Sequence, residues 1–198
     1  RDCVMKSPNK ARPYVNLGYA YINAGIYDKA MEVSQKAIEI DPKAAHGYYN
    51  LSIVFQKRGE LDKAVAMAQK ALTVDPAFHM ALYSLGGIYF EKGQHQESVE
   101  AFRKFLAINP FFPEVHNMVA IIYAAQKQFD KVVVELEAEV RINPYNALAH
   151  LNLGQIYWHE FRNRQKAIEH LKFALMIDPF LPRREEVRNL VLRLEGSP

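Results

Sequence analysis

Asp41-Pro42-Lys43-Ala44 returns 34 residues later as Asp75-Pro76-Ala77-Phe78. The same polar-residue-then-proline pair stands at Ser7-Pro8, Asn109-Pro110, Asn143-Pro144 and Asp178-Pro179, so the prolines fall 34, 34, 34, 34 and 35 residues apart. A fixed period of this length marks a stacked repeat array. Proline cannot continue a helix and pushes the residue before it out of the α region. Each proline therefore ends one helix and opens the turn to the next repeat.

Between the prolines two apolar stripes recur. In the first unit Tyr14, Leu17, Gly18 and Tyr21 follow the i, i+3, i+4, i+7 spacing of one helix face. Gly25 then reads as a helix stop. Asp28 stands where a second helix begins, its carboxylate beside unpaired amides and the positive dipole end. Ala30, Ser34 and Ala37 follow, small enough for two helices to approach closely. The second unit repeats this with Tyr48, Leu51, Ser52, Phe55, Gly59, Ala64, Ala68 and Ala71. The third has Leu82, Leu85, Gly86, Tyr89, Gly93, Ser98, Phe102 and Phe105. The fourth departs most, with His116, Val119, Ala120, Tyr123, Lys127, Val132, Leu136 and Glu139. The fifth has His150, Leu153, Gly154, Tyr157, Ala167, Leu171 and Ala174, and its extra residue falls between Trp158 and Ala167. The spacing predicts helix pairs near 11–24/28–40, 45–58/62–74, 79–92/96–108, 113–126/130–142 and 147–161/165–177. Beyond Pro179, Val187, Leu190, Val191 and Leu194 form one stripe among charged residues. Residues 182–194 read as a capping helix, because an end repeat must present a solvated outer face.

These registered copies resemble the tetratricopeptide repeat family, whose unit is a helix-turn-helix of 34 residues. The resemblance implies an all-α, right-handed superhelical solenoid in which the first helix of each pair lines a concave groove. On this frame five repeats occupy 11–42, 45–76, 79–110, 113–144 and 147–179. Residues 1–8 read as the end of a truncated preceding repeat, with Cys3 at a helix-interior position.

Composition narrows the function. Net charge is +3 over 198 residues and evenly spread, too little to point to nucleic acid. No apolar run approaches the roughly 20 residues that span a bilayer, so no membrane insertion of this segment is expected. One cysteine permits no internal disulfide and does not settle the compartment. There is no His-Glu-x-x-His, no paired Cys-x-x-Cys, no phosphate-binding glycine loop and no nucleophile with a base. Glu135, Glu137 and Glu139 cannot all share a helix face. His116 and His150 share one register position and are expected near each other; they either form a two-histidine metal site or fill the place held by Tyr14, Tyr48 and Leu82. The reading is a non-enzymatic segment with no metal or other cofactor.

What remains is the face of each first helix opposite its buried stripe. It carries Asn16, Tyr19, Tyr49, Asn50, Ile53, Tyr83, Ser84, Phe90, Asn152, Gln155 and Trp158. Asn16, Asn50 and Asn152 form a ladder broken at Ser84 and Met118. Amides both donate and accept, so they can hold peptide backbone without reading side chains; family members joined to a glycosyltransferase have a similar ladder. The aromatic residues supply an apolar patch of the kind that marks interaction sites. Carboxylate-clamp members carry lysine, asparagine and arginine at positions occupied here by Val15, Tyr19, Asn50, Met80 and Ser84; only Asn50 agrees. The expected partner is a protein or peptide segment bearing apolar side chains. Trp158 is either a groove anchor or a packing residue against the cap. Two alternatives stay open. One is an appendage of a membrane-bound glycosyltransferase-like protein, suggested by Arg1-Asp2-Cys3-Val4, Ser7-Pro8 and Asn16-Leu17-Gly18. The other is self-assembly.

Overall fold

The computed structural model describes residues 9–196, which fold into eleven helices and no strand. They are α1 Ala11–Asn23, α2 Tyr27–Ile40, α3 Ala45–Lys57, α4 Leu61–Val74, α5 His79–Glu91, α6 His95–Ile108, α7 Pro113–Ala125, α8 Phe129–Ile142, α9 Ala147–His159, α10 Arg164–Ile177 and α11 Arg184–Gly196. The fold is an all-α repeat solenoid. The expectations for residues 1–8 and Cys3 lie outside the described residues.

The turns explain the helix ends. At the first, Gly25 N–H donates to Ile22 O and Ile26 N–H to Tyr21 O, which satisfies the last carbonyls of α1. The same pair of bonds closes α3 at Gly59 and Glu60, and α5 at Gly93 and Gln94. Gly25, Gly59 and Gly93 hold φ of 71°, 75° and 73°, the left-handed region that glycine enters without strain. In the fourth pair Lys127 takes this conformation at φ 56° and makes the same bonds. The fifth turn is one residue longer, residues 160–163, and Asn163 N–H reaches back to Tyr157 O at 2.8 Å. This ends α9 at His159, two residues before the sequence-based boundary.

The Asp-Pro pairs close the repeats. Asp41, Asp75 and Asp178 each accept, through Oδ1, the backbone N–H two residues on, at 2.8–3.0 Å. This local bond competes with helix continuation. The cap helix starts at Arg184 rather than at residue 182, because Arg183 is left-handed at φ 54°. Asp28 also differs from expectation. It lies in the first turn of α2 but caps no amide with its side chain, and instead pairs with Arg58 of the next pair.

The chain divides into two compact units after Ile108. In the first, α1–α2, α3–α4 and α5–α6 are paired, α2 packs on α3 and α4 on α5, and the first helices α1, α3 and α5 touch in succession. Ala30, Ser34, Ala37, Ala64, Ala68, Ala71, Ser98, Phe102 and Phe105 are all buried. Ser52 Oγ donates to Ala64 O at 2.9 Å and Ser98 Oγ to Gly86 O at 2.7 Å, so these small polar residues tie the two helices of a pair. In the second unit α7 packs on α8, α8 on α9, α9 on α10 and α10 on α11. Its interior holds Val119, Leu136, Leu153, Leu171, Val187 and Leu194.

Candidate functional site

In the first unit the three touching first helices carry the candidate residues. Asn16 and Tyr19 lie on α1; Tyr49, Asn50 and Ile53 on α3; Tyr83, Ser84 and Phe90 on α5. Tyr19 is 53% exposed and Phe90 36%, and Asn16 is exposed. Ile53, Tyr49 and Tyr83 are half-buried. Tyr49 packs edge-on against Phe78 at 5.3 Å, and Tyr83 sits 6.1 Å and 5.5 Å from Phe102 and Phe105. Burial, and then the nearby Tyr19 and Tyr83 hydroxyls, push the Tyr49 phenol above its ordinary value. Tyr19, Tyr49 and Tyr83 thus form one row across three first helices.

Two residues of the expected face turn inward. Asn50 is 2% exposed, and its Nδ2 donates to Val15 O at 2.9 Å. Its amide joins α3 to α1 and does not stand open. Ser84 is 7% exposed, with its Oγ buried and without a hydrogen-bond partner among the described residues. The asparagine ladder is therefore reduced, in this unit, to Asn16, which borders a cleft of about 380 Å³ with Arg12, Val15, Asp41 and His46. At the far end Gln56 Nε2 donates to Glu91 Oε1 at 2.7 Å, linking α3 to α5 across the face.

In the second unit Asn152 is exposed, while Gln155 and Trp158 are half-buried. Asn152 and Gln155 border a cleft of about 240 Å³ shared with Ile121 and Ala124 of α7 and Leu136 of α8. Trp158, again with Gln155, borders a larger cleft of about 450 Å³ shared with α11. The Arg162 guanidinium lies 5.7 Å from the centre of its ring.

Of the two readings of His116 and His150, the two-histidine site is not the one formed, because each bonds within its own helix pair. His116 Nδ1 meets Glu135 Oε2 at 2.7 Å, and His150 Nδ1 meets His170 Nδ1 at 2.9 Å. The two arrangements are equivalent, each running from the first helix of a pair to the second, with Nε2 directed at the carbonyl of Pro110 or Pro144. The Glu135 carboxylate holds the His116 imidazole above its ordinary value, whereas burial pushes His150 and His170 below theirs. Among the described residues no group of three or more histidine, cysteine, aspartate or glutamate side chains could hold a metal ion. Likewise no helix there is long and apolar enough to cross a membrane.

On α8 register had placed Glu139 in the buried stripe, but sequence reasoning missed that Glu135 is buried beside it. Glu135 and Glu139 stand four apart and share the buried face, at 8% and 3% exposure. Asn146 Nδ2 donates to Glu139 Oε1 while Oε2 has no partner among the described residues. Glu137, on the flank, accepts from the Tyr157 hydroxyl at 2.6 Å, which itself accepts from Lys166 at 2.9 Å. The signal for Glu139 was its alignment with Ala37, Ala71, Phe105 and Ala174, all of them buried.

Models of the tetratricopeptide repeat match residues 11–44 and 49–113, together half of the chain. The chain belongs to the tetratricopeptide repeat family. No curated protein matches it. Several solved structures share the fold of this tetratricopeptide array. The crystal structure of YrrB, a TPR protein with an unusual peptide-binding site, is 23% identical, covers 95% of this chain and 96% of its own, and superposes with a TM-score of 0.74. A crystal structure of MamA is 22% identical over 84% of this chain and 91% of its own, with a TM-score of 0.72. PilF of Pseudomonas aeruginosa is 21% identical over 94% and 93%, with a TM-score of 0.71.

Proposed function

We propose that this tetratricopeptide array is a non-catalytic interaction scaffold, and that it binds a protein or peptide segment bearing apolar side chains along its first helices. The division into five repeats at 11–42, 45–76, 79–110, 113–144 and 147–179, with a cap at 182–194, is part of this reading. The observation that carries it is the row formed by Tyr19, Tyr49 and Tyr83, with Tyr19 exposed, on the same first helices as the half-buried Ile53 and the exposed Phe90. Exposed aromatic rings on a rigid, half-apolar face are the usual anchors of an interface. Asn16 and Asn152 offer amides to a bound backbone. Asn50 acts from inside, tying α3 to α1 through the Val15 carbonyl, and Ser84 is buried. The peptide-binding site named for YrrB supports the same use of this fold.

The test begins with peptides selected from a random display library on the wild-type protein. The expected ligands carry spaced apolar residues. Tyr19→Ala combined with Phe90→Ala then weakens a selected peptide at least tenfold, since truncating an interface anchor costs roughly 2 kcal/mol or more. The melting temperature stays unchanged, because neither ring is part of the core. Equal affinity for the double variant would remove this face from the account.

A further inference from the structure

The cleft between α9 and α11 has a chemistry of its own. Trp158 and the α11 residues Val187, Leu190 and Leu194 border it. Val187 and Leu194 are buried, whereas Trp158 and Leu190 remain half-buried. Around this apolar surface stand Arg183, just before α11, and Arg193 of α11, and Arg162 lies over the Trp158 ring. Glu186 is the one carboxylate among the residues lining the cleft, and it pairs with Arg183. Their side chains are 73% and 62% exposed. An ion pair so exposed is weak and exchanges readily for another carboxylate.

We propose that this cleft seats an acidic peptide segment carrying one bulky apolar side chain. The apolar side chain enters against Trp158 and Leu190. Carboxylates on either side of it meet the three guanidinium groups, whose planar forks suit carboxylate geometry. Gln155 at the border offers an amide to the peptide backbone. The charge complementarity selects an acidic segment over a neutral or basic one, and the arginines come from the cap and the last turn rather than from the positions of the carboxylate clamp. The proposal rests on the reading of the array as a peptide scaffold and adds the partner's chemistry at this end.

Trp158 is the sole tryptophan of the chain, so its fluorescence reports the cleft directly. The experiment titrates the whole chain with the blocked pentapeptide Glu-Asp-Phe-Glu-Asp, following Trp158 emission and binding heat together. Controls are Lys-Lys-Phe-Lys-Lys, Glu-Asp-Ser-Glu-Asp and an oligothymidylate of eight nucleotides. A saturable emission change with the first peptide alone is expected. Arg183→Gln with Arg193→Gln should weaken it at least tenfold, and Glu186→Gln should tighten it by removing the competing carboxylate. A merely structural role for Glu186 predicts no tightening. Heat without an emission change would place the peptide elsewhere and overturn the cleft proposal while leaving the scaffold reading intact. No binding of the acidic peptide, equal binding of a control peptide or the oligonucleotide, or unchanged affinity in both variants would each overturn it. The scaffold reading is judged separately, by the library peptides and the face of the first unit.

Discussion

Phe102→Ala should lower the stability of the first unit by about 3–5 kcal/mol, the usual cost of emptying a buried aromatic site. Phe102 has 0% exposure, and its ring fills the space beside Gly86, where a Cβ would sit 2.4 Å from the ring carbon Cε1. The two positions therefore form one packing decision, glycine on α5 and a large ring on α6. Gly86→Val alone overpacks the same contact and should cost about 1–3 kcal/mol. In the double variant the valine enters the cavity left by the ring. The combined loss should then be smaller than the sum of the single losses, which is the mark of coupled neighbours. Urea denaturation followed by circular dichroism measures all three. Strict additivity would show that Gly86 and Phe102 do not share the contact.

The second large effect has the opposite sign. Glu139→Leu should stabilise the second unit at neutral pH, by roughly 1–3 kcal/mol, the scale of burying a polar group without full compensation. Glu139 is 3% exposed, and one of its oxygens has no partner among the described residues. Burial pushes its carboxyl above the ordinary carboxylate value, with the Asn146 amide and the His116 charge pulling the other way. The folded state therefore holds this proton more tightly than the unfolded chain does. Stability falls as pH rises from the unfolded value through the raised folded one, and above that window the whole cost of the buried charge is present. The advantage of Glu139→Leu should thus be large at pH 8 and shrink toward pH 4. Thermal melts at the two pH values decide it. A gain independent of pH, or a loss at pH 8, would mean that the carboxylate is better accommodated than its surroundings indicate.

Much of the fold was legible in the sequence because repetition multiplies weak signals. One Asp-Pro pair is only a turn; registered with the others, it fixes where each second helix must stop, and the helix ends found agree within two residues. The small buried residues Ala30, Ser34 and Ala37, and their counterparts at Ala64, Ala68 and Ala71, were readable from the 3.6-residue period alone. The four-residue turn at 160–163 was readable as the one break in the spacing. The candidate face was less legible. Tyr19 and Phe90 stand open, but Asn50 turns to the Val15 carbonyl of the preceding first helix, a contact across repeats that no period within a helix encodes. Ser84 is buried as well, which the period within its own helix does not encode. The polar contacts of the second unit were hidden differently. His116 and Glu135, 19 residues apart, and His150 and His170, 20 apart, occupy positions that elsewhere hold apolar pairs. Register placed His116 and His150 in the buried stripe; it did not predict their partners on the second helices.

The proposed function puts partners along the first helices of the first unit. The most direct measurement places a photoreactive side chain, one position at a time, at Tyr19, Ile53 and Phe90 on α1, α3 and α5. Two control positions, Gln35 and Lys70, are exposed on the second helices α2 and α4. Each variant is irradiated with a library-selected peptide and the adducts are counted by mass spectrometry. Adducts at the three first-helix positions and none at the two controls are the predicted result. Adducts at Gln35 or Lys70 as frequent as those at Tyr19 would contradict the claim.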